Sequence, residues 1–162
     1  MQMQIPIHHP LAIIYSDVAY KNRTMFSHDT FCEMNFFENV EKICDAVHKK
    51  NMQVIFHSDG DIMSIMDDLM ACGIDGLNPV EKAAGMDVYE LRRLYPKLII
   101  AGALDVTHLL PFGTKAEVRA ETRKMIEEVG RDGRLLIGSS TEVEDNVPLE
   151  NYLAFWDEVM KG

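Results

Sequence analysis

The stretch QVIFHSDGD, residues 53–61, sets His57 and Asp59 two positions apart at the end of an apolar run. An imidazole changes charge near neutral pH, and a carboxylate beside it can orient it or share its proton. The pair therefore suits general acid–base work. It equally suits part of a metal site, because histidine nitrogens and carboxylate oxygens both bind divalent cations. The chain has six histidines, and the other five are less well placed. His8 and His9 lie in the N-terminal tail, and His28, His48 and His108 fall at expected helix ends or loops, where a surface or capping role is the ordinary one.

Whether His57 can act depends on the elements that carry it. MQVIFHS (52–58) reads as a buried strand, and LAIIYS (11–16) as another before it. Short strands are also expected in IDGLNP (74–79), KLIIAGAL (97–104) and RLLIGSS (134–140). Amphipathic segments alternate with them. Ser27 is an expected N-cap for a long helix to about Lys50, with Asp29 in its first turn and Phe31, Phe36, Val40, Ile43 and Val47 on its buried face. A helix with Ile62, Ile65, Met66 and Leu69 inward begins at Asp59 or Gly60 and stops at Gly73. DVYELRRLY precedes Pro96, Thr114 caps a helix from Lys115 to about Val129, and Pro148 opens the last helix, which ends near Met160. The strands are apolar without alternation, as parallel strands buried on both faces are, and no hairpin signal interrupts the β–α order. The expected class is α/β, built from five β–α units in one domain over residues 1–162.

Polar residues collect at one end of these strands. Asp17 follows the first; His57 and Asp59 the second; Asn78 and Glu81 the third; Asp105 the fourth; Ser140 and Glu142 the fifth. Parallel sheets and barrels gather their sites at the carboxyl ends of the strands, where the βα loops converge. The expectation is a common rim with His57 and Asp59 catalytic and Asp17, Asn78, Glu81, Asp105, Ser140 and Glu142 binding substrate. Asp59 and Asp105 could instead cap the turns that follow them.

Composition removes several alternatives. A net charge of −10 argues against nucleic acid or an anionic membrane as partner. Three cysteines without metal-ligand spacing point to free thiols in a reducing, cytoplasmic setting. No apolar run approaches the ~18 residues of a membrane span, and the tail MQMQIPIHHP lacks a signal peptide's basic start and long apolar core. There is no dinucleotide-binding or P-loop glycine pattern and no nucleophile elbow.

The series HSDGDI, GIDGLNPVEKAAGMDVYELRRLYP, AGALDVTHLLPFGTKAEVRAETRKMI and VPLENYLAF resembles the C-terminal part of the uroporphyrinogen decarboxylase superfamily, from about Ile13 to Gly162. That superfamily also contains corrinoid-dependent methyltransferases. The resemblance implies a (β/α)8 TIM-type barrel with its site at the strand carboxyl ends. It also implies a carboxy-lyase acting on a tetrapyrrole or related carboxylate without a cofactor, or alternatively a methyltransferase using zinc and a corrinoid protein. In the zinc branch the strand end reads His-x-Cys, with a second cysteine before the last helix. Here Asp59 stands where the first thiolate would be, and Ser140 or Thr141 near the second. His57 and Asp59, with Glu142 as a further candidate, could still hold a metal, but as a harder donor set. The arginine and aspartate that the decarboxylase branch draws from its N-terminal half have no counterpart in these residues.

Five β–α units leave an eight-stranded barrel open, and 162 residues fall short of the about 250 typical of the fold. Five strands have two unpaired edges and an inner face that needs cover. The expected partners are a small-molecule substrate and either further copies of the chain or a separate N-terminal half. A non-catalytic fragment or subunit is the reading from a different class.

Overall fold

The computed structural model describes residues 10–161; the tail with His8 and His9 lies outside them. The chain opens with β1 (Leu11–Tyr15), a small antiparallel hairpin of β2 (Ala19–Tyr20) and β3 (Arg23–Thr24), and two helices, α1 (His28–Glu33) and α2 (Phe36–His48). Strands and helices then alternate: β4 (Gln53–His57), α3 (Met66–Ala71), β5 (Gly76–Asn78), α4 (Val88–Leu94), β6 (Ile99–Ala101), α5 (Leu109–Phe112), α6 (Lys115–Glu128), β7 (Leu135–Leu136) and α7 (Leu149–Val159). Five strands form one all-parallel sheet in the order β1-β4-β5-β6-β7. Each sheet strand takes its place beside its predecessor, as successive β–α units of a barrel do. The architecture is a partial TIM-type barrel.

The sheet's two faces differ in cover. Val54, Phe56, Leu77 and Ile100 alternate onto the helix side and have no exposed surface. Leu69, Leu91 and Val118 from α3, α4 and α6 close over that side and are equally buried. Register puts Tyr15, His57 and Asn78 together on the opposite, inner face. There Ile13, Tyr15 and Leu136 are 47%, 72% and 48% exposed. An open apolar face beside two unpaired edge strands is what a barrel wall looks like without its remaining strands. Gly76 sits on this face because a side chain there would run into Ile55 Cδ1 and the Ile99 backbone.

At the opposite end from the rim, one side chain ties the turns together. The Arg92 guanidinium donates to the carbonyls of Pro96, Leu98, Val129 and Arg134 at 2.8–3.1 Å. Asn151, buried in α7, donates to Leu110 and Gly113 carbonyls at 2.9 and 2.7 Å and so fastens the last helix to the α5 turn.

Several expectations are corrected. The long helix from Ser27 to Lys50 is two helices, because Asn35 turns left-handed at φ 53° and restarts the chain direction. Ser27 does cap the first. Ile43 is 44% exposed, and Cys44 takes the inward place. The hairpin β2–β3 occupies the stretch read as irregular. Neither Asp59 nor Gly60 starts a helix; a 3₁₀ turn from Met63 leads into α3, and Asp61 Oδ1 accepts from the Met63 N–H. Strands β5, β6 and β7 are shorter than read, and Pro148 is the N-cap rather than the first helical residue. Gly73 after α3 and Thr114 before α6 do what was expected of them, the latter in a reciprocal capping box with Glu117.

Candidate functional site

His57 ends β4 beside its register partner Asn78, the last residue of β5. Its Nδ1 lies 2.8 Å from Asn78 Oδ1. Asn78 Nδ2 donates to the Ala101 carbonyl at 3.0 Å, which fixes the amide so that its oxygen faces the imidazole. An amide oxygen only accepts, so His57 carries its proton on Nδ1. The free nitrogen, Nε2, points to Asp17, whose Oδ1 is 3.8 Å away. The Tyr15 ring lies against the imidazole with centroids 4.7 Å apart.

Asp17 and Asp59 reach His57 from adjacent strand ends, since β1 and β4 are neighbours in the sheet. The Asp59 N–H donates to Asp17 Oδ1 at 3.1 Å and holds that carboxylate in place. Ser58, buried between them, accepts from the Val18 N–H and donates to the Asp59 carbonyl at 3.1 and 2.9 Å. One ligand atom each from Asp17, His57 and Asp59 lies within 4.8 Å of the others. The structure thus groups Asp17, rather than Glu142, with His57 and Asp59.

A cleft of about 480 Å³ opens over this cluster. Tyr15, His57, Asp59, Asn78, Pro79, Ser139, Ser140, Thr141 and Glu142 line it. Three of the remaining expected site residues serve the scaffold. Glu81 accepts from the Gly60 N–H at 2.7 Å and holds the loop after His57. Asp105 caps the turn that follows it, accepting from the Thr107 and His108 N–H groups, and it lines a different cavity, of about 360 Å³, beside α4 and α6. Ser140, though at the cleft, is 3% exposed and accepts from the Val106 N–H at 3.4 Å.

Chemically, the cluster offers two carboxylates and an imidazole lone pair, and no Lys or Arg is among the cleft's lining residues. Such a site favours positive charge: a bound cation, or a cation developing on a substrate. Zinc is the metal the resemblance suggests. The donor set fits a divalent cation in number, type and mutual spacing, but it supplies no thiolate. The three cysteines lie elsewhere, Cys32 in α1, Cys44 in α2 and Cys72 after α3.

Among the described residues, no helix is long and apolar enough to cross a membrane. In comparison with solved structures, the chain is similar to a methyltransferase from Methanosarcina mazei at 21% identity and a TM-score of 0.68. That match covers 95% of this chain and 42% of the methyltransferase, so the chain spans less than half of that protein's length. No curated protein sequence matches it. The family model described as Uroporphyrinogen decarboxylase (URO-D) matches residues 10–162, and the chain belongs to that family.

Proposed function

We propose that this chain carries the charge-stabilising part of a URO-D-type carboxy-lyase site, acting on a tetrapyrrole or related carboxylated substrate. The observation that supports this most is the convergence of Asp17, His57 and Asp59 at the sheet's carboxyl rim. In this reading His57 moves a proton through Nε2 while Asn78 keeps Nδ1 occupied. Protonating a pyrrole-type ring makes it cationic, and the carboxylates of Asp17 and Asp59 offset that charge. The carbon–carboxylate bond then breaks, its electron pair neutralises the ring, and CO₂ departs. The cleft's lining holds no cation for the substrate's own carboxylates, so binding is weak and the activity of the chain is read at single turnover with the chain in excess.

A second reading is a methyltransferase, favoured by the three-ligand cluster and by the fold shared with the M. mazei protein. Asp17, His57 and Asp59 would hold a divalent cation that polarises the methyl acceptor. Its carboxylate donors suit an oxygen-bearing acceptor better than a thiol.

The two readings separate in one assay pair. CO₂ release from a carboxylated porphyrinogen, unaffected by a chelator and lost in His57→Ala, supports the first. Cation-dependent demethylation of methylcobalamin, without CO₂ release, overturns it in favour of the second.

A further inference from the structure

A second chemical cluster lies away from the rim, on the helices outside the sheet. Cys32 and His28 sit one turn apart on α1, with Sγ 3.7 Å from His28 Nδ1. His28 Nε2 is 3.2 Å from Asp68 Oδ2 on α3. The carboxylate meets Nε2 as an ion-pair contact rather than an aligned hydrogen bond, and Nδ1 is the nitrogen left to face the thiol. The Phe37 ring, 5.5 Å from the imidazole centroid, supports its orientation from α2. Asp29 Oδ1 is 3.9 Å from the same Nδ1, but its side chain is 98% exposed, so water screens it. Thiol, imidazole and carboxylate are thus placed in sequence as nucleophile, base and orienting group, the arrangement by which weak nucleophiles are activated.

The other two thiols are in a different state. Cys44 is buried, and burial, followed by the neighbouring Cys72, pushes its thiol up to about 11. Burial also raises Cys72, which donates to the Phe37 carbonyl at 3.3 Å. Cys32 is the exposed cysteine of the three.

We propose that Cys32 is a modification site: a surface thiol that forms mixed disulfides with small aliphatic disulfides, with His28 as its base and Asp68 as a positioning residue. In the step, His28 Nδ1 takes the thiol proton as Sγ attacks one sulfur of the disulfide. A new S–S bond forms as the old one breaks. The departing thiolate takes the proton from His28 and leaves as a free thiol, so one disulfide replaces another with no outside oxidant. Asp29, Glu33 and Asp68 make the surroundings acidic, which favours a cationic disulfide over an anionic one.

The test is the rate of adduct formation with cystamine, read by intact mass and peptide mapping. The expected result is one adduct, on Cys32, formed about tenfold faster than on a cysteine in an unstructured peptide. His28→Gly lowers the rate to that of the peptide, and added imidazole restores it. Asp68→Asn lowers the rate about threefold or more without changing the circular dichroism spectrum. Oxidised glutathione reacts more slowly than cystamine. A Cys32 rate equal to the peptide's, adducts at Cys44 or Cys72 instead, or full reactivity in both folded variants overturns the proposal.

Discussion

Asn78 Oδ1 accepts from His57 Nδ1 across 2.8 Å, joining the last residues of two adjacent parallel strands. This bond decides which face of the imidazole is chemically available. With Nδ1 occupied, Nε2 is the nitrogen presented to Asp17 and to the cleft. Histidine nitrogen chemical shifts should therefore show neutral His57 as the Nδ1–H tautomer. In Asn78→Ala the ring should become a tautomer mixture, and affinity for any ligand on Nε2 should fall about tenfold or more. An Nε2–H tautomer in the unmodified chain would contradict the geometry.

The loop that follows His57 hangs on Glu81. Glu81 Oε2 accepts from the Gly60 N–H at 2.7 Å, while Gly60 itself stands at φ +87° with no room for a side chain against the Tyr20 carbonyl. Glu81→Ala should cost about 1–3 kcal/mol in urea denaturation, since it orphans a part-buried donor. Glu81→Gln keeps an acceptor and should lose less. Gly60→Ala should cost more than about 1 kcal/mol through the left-handed backbone and the contact with Tyr20 together. Equal stability of all three variants would show that the loop is held by something else.

The α6–α7 pair should be sensitive to acid. Glu158 in α7 is 5% exposed and accepts from Arg123 Nη2 and Nε at 2.6 and 2.8 Å, with Lys161 and Arg119 beside it. Hydrogen bonds and charge from Arg123 first, then Lys161, hold its carboxyl below the usual carboxylate range. A group whose folded value is depressed stabilises the fold fully above its unfolded value of 4.5 and loses that contribution as pH falls through the folded one. Thermal unfolding followed from pH 7 downward should show this loss, and Glu158→Gln should be less stable at pH 7 with a flatter acid limb. A Glu158→Gln curve parallel to the unmodified chain's would contradict it.

Exposed apolar residues on the inner face make a further prediction. Ile13, Tyr15 and Leu136 lie open there, and Leu149, Leu153, Trp156 and Met160 form an exposed stripe at helical spacing along α7. Patches of this kind are covered by association. Sedimentation should show the chain self-associating, and Ile13→Lys with Leu136→Lys should shift it toward monomer. A compact monomer that binds no apolar dye would contradict the open-wall description.

Much of the scaffold could be read from the residues alone. Runs such as VIF and LII put Val54, Phe56 and Ile100 on the helix side whatever the loops do, and Gly73 and Thr114 punctuate helices by local chemistry. The break at Asn35 was not legible, because Phe31, Phe36 and Val40 keep a helical rhythm across it and the left-handed turn leaves no compositional mark. The β2–β3 hairpin is only four residues of strand, and AYKNRT carries no glycine to announce its turn. At the site, His57 stood out by its own neighbours, whereas the grouping of Asp17 with it depends on β1 pairing with β4 in one particular register. Asp105 and Glu81 looked like rim ligands because spacing cannot tell a side chain aimed at a ligand from one that bonds a nearby N–H.

In the proposed function Asp17, His57 and Asp59 form the working centre for carboxy-lyase chemistry. Its most direct test is a single-turnover reaction, chain in excess over a carboxylated porphyrinogen, with released CO₂ measured in the presence of a chelator. The unmodified chain should release CO₂, Asp17→Asn should release it about tenfold or more slowly, and His57→Ala should show none above background. CO₂ release unchanged in both variants, or none from the unmodified chain, would contradict it.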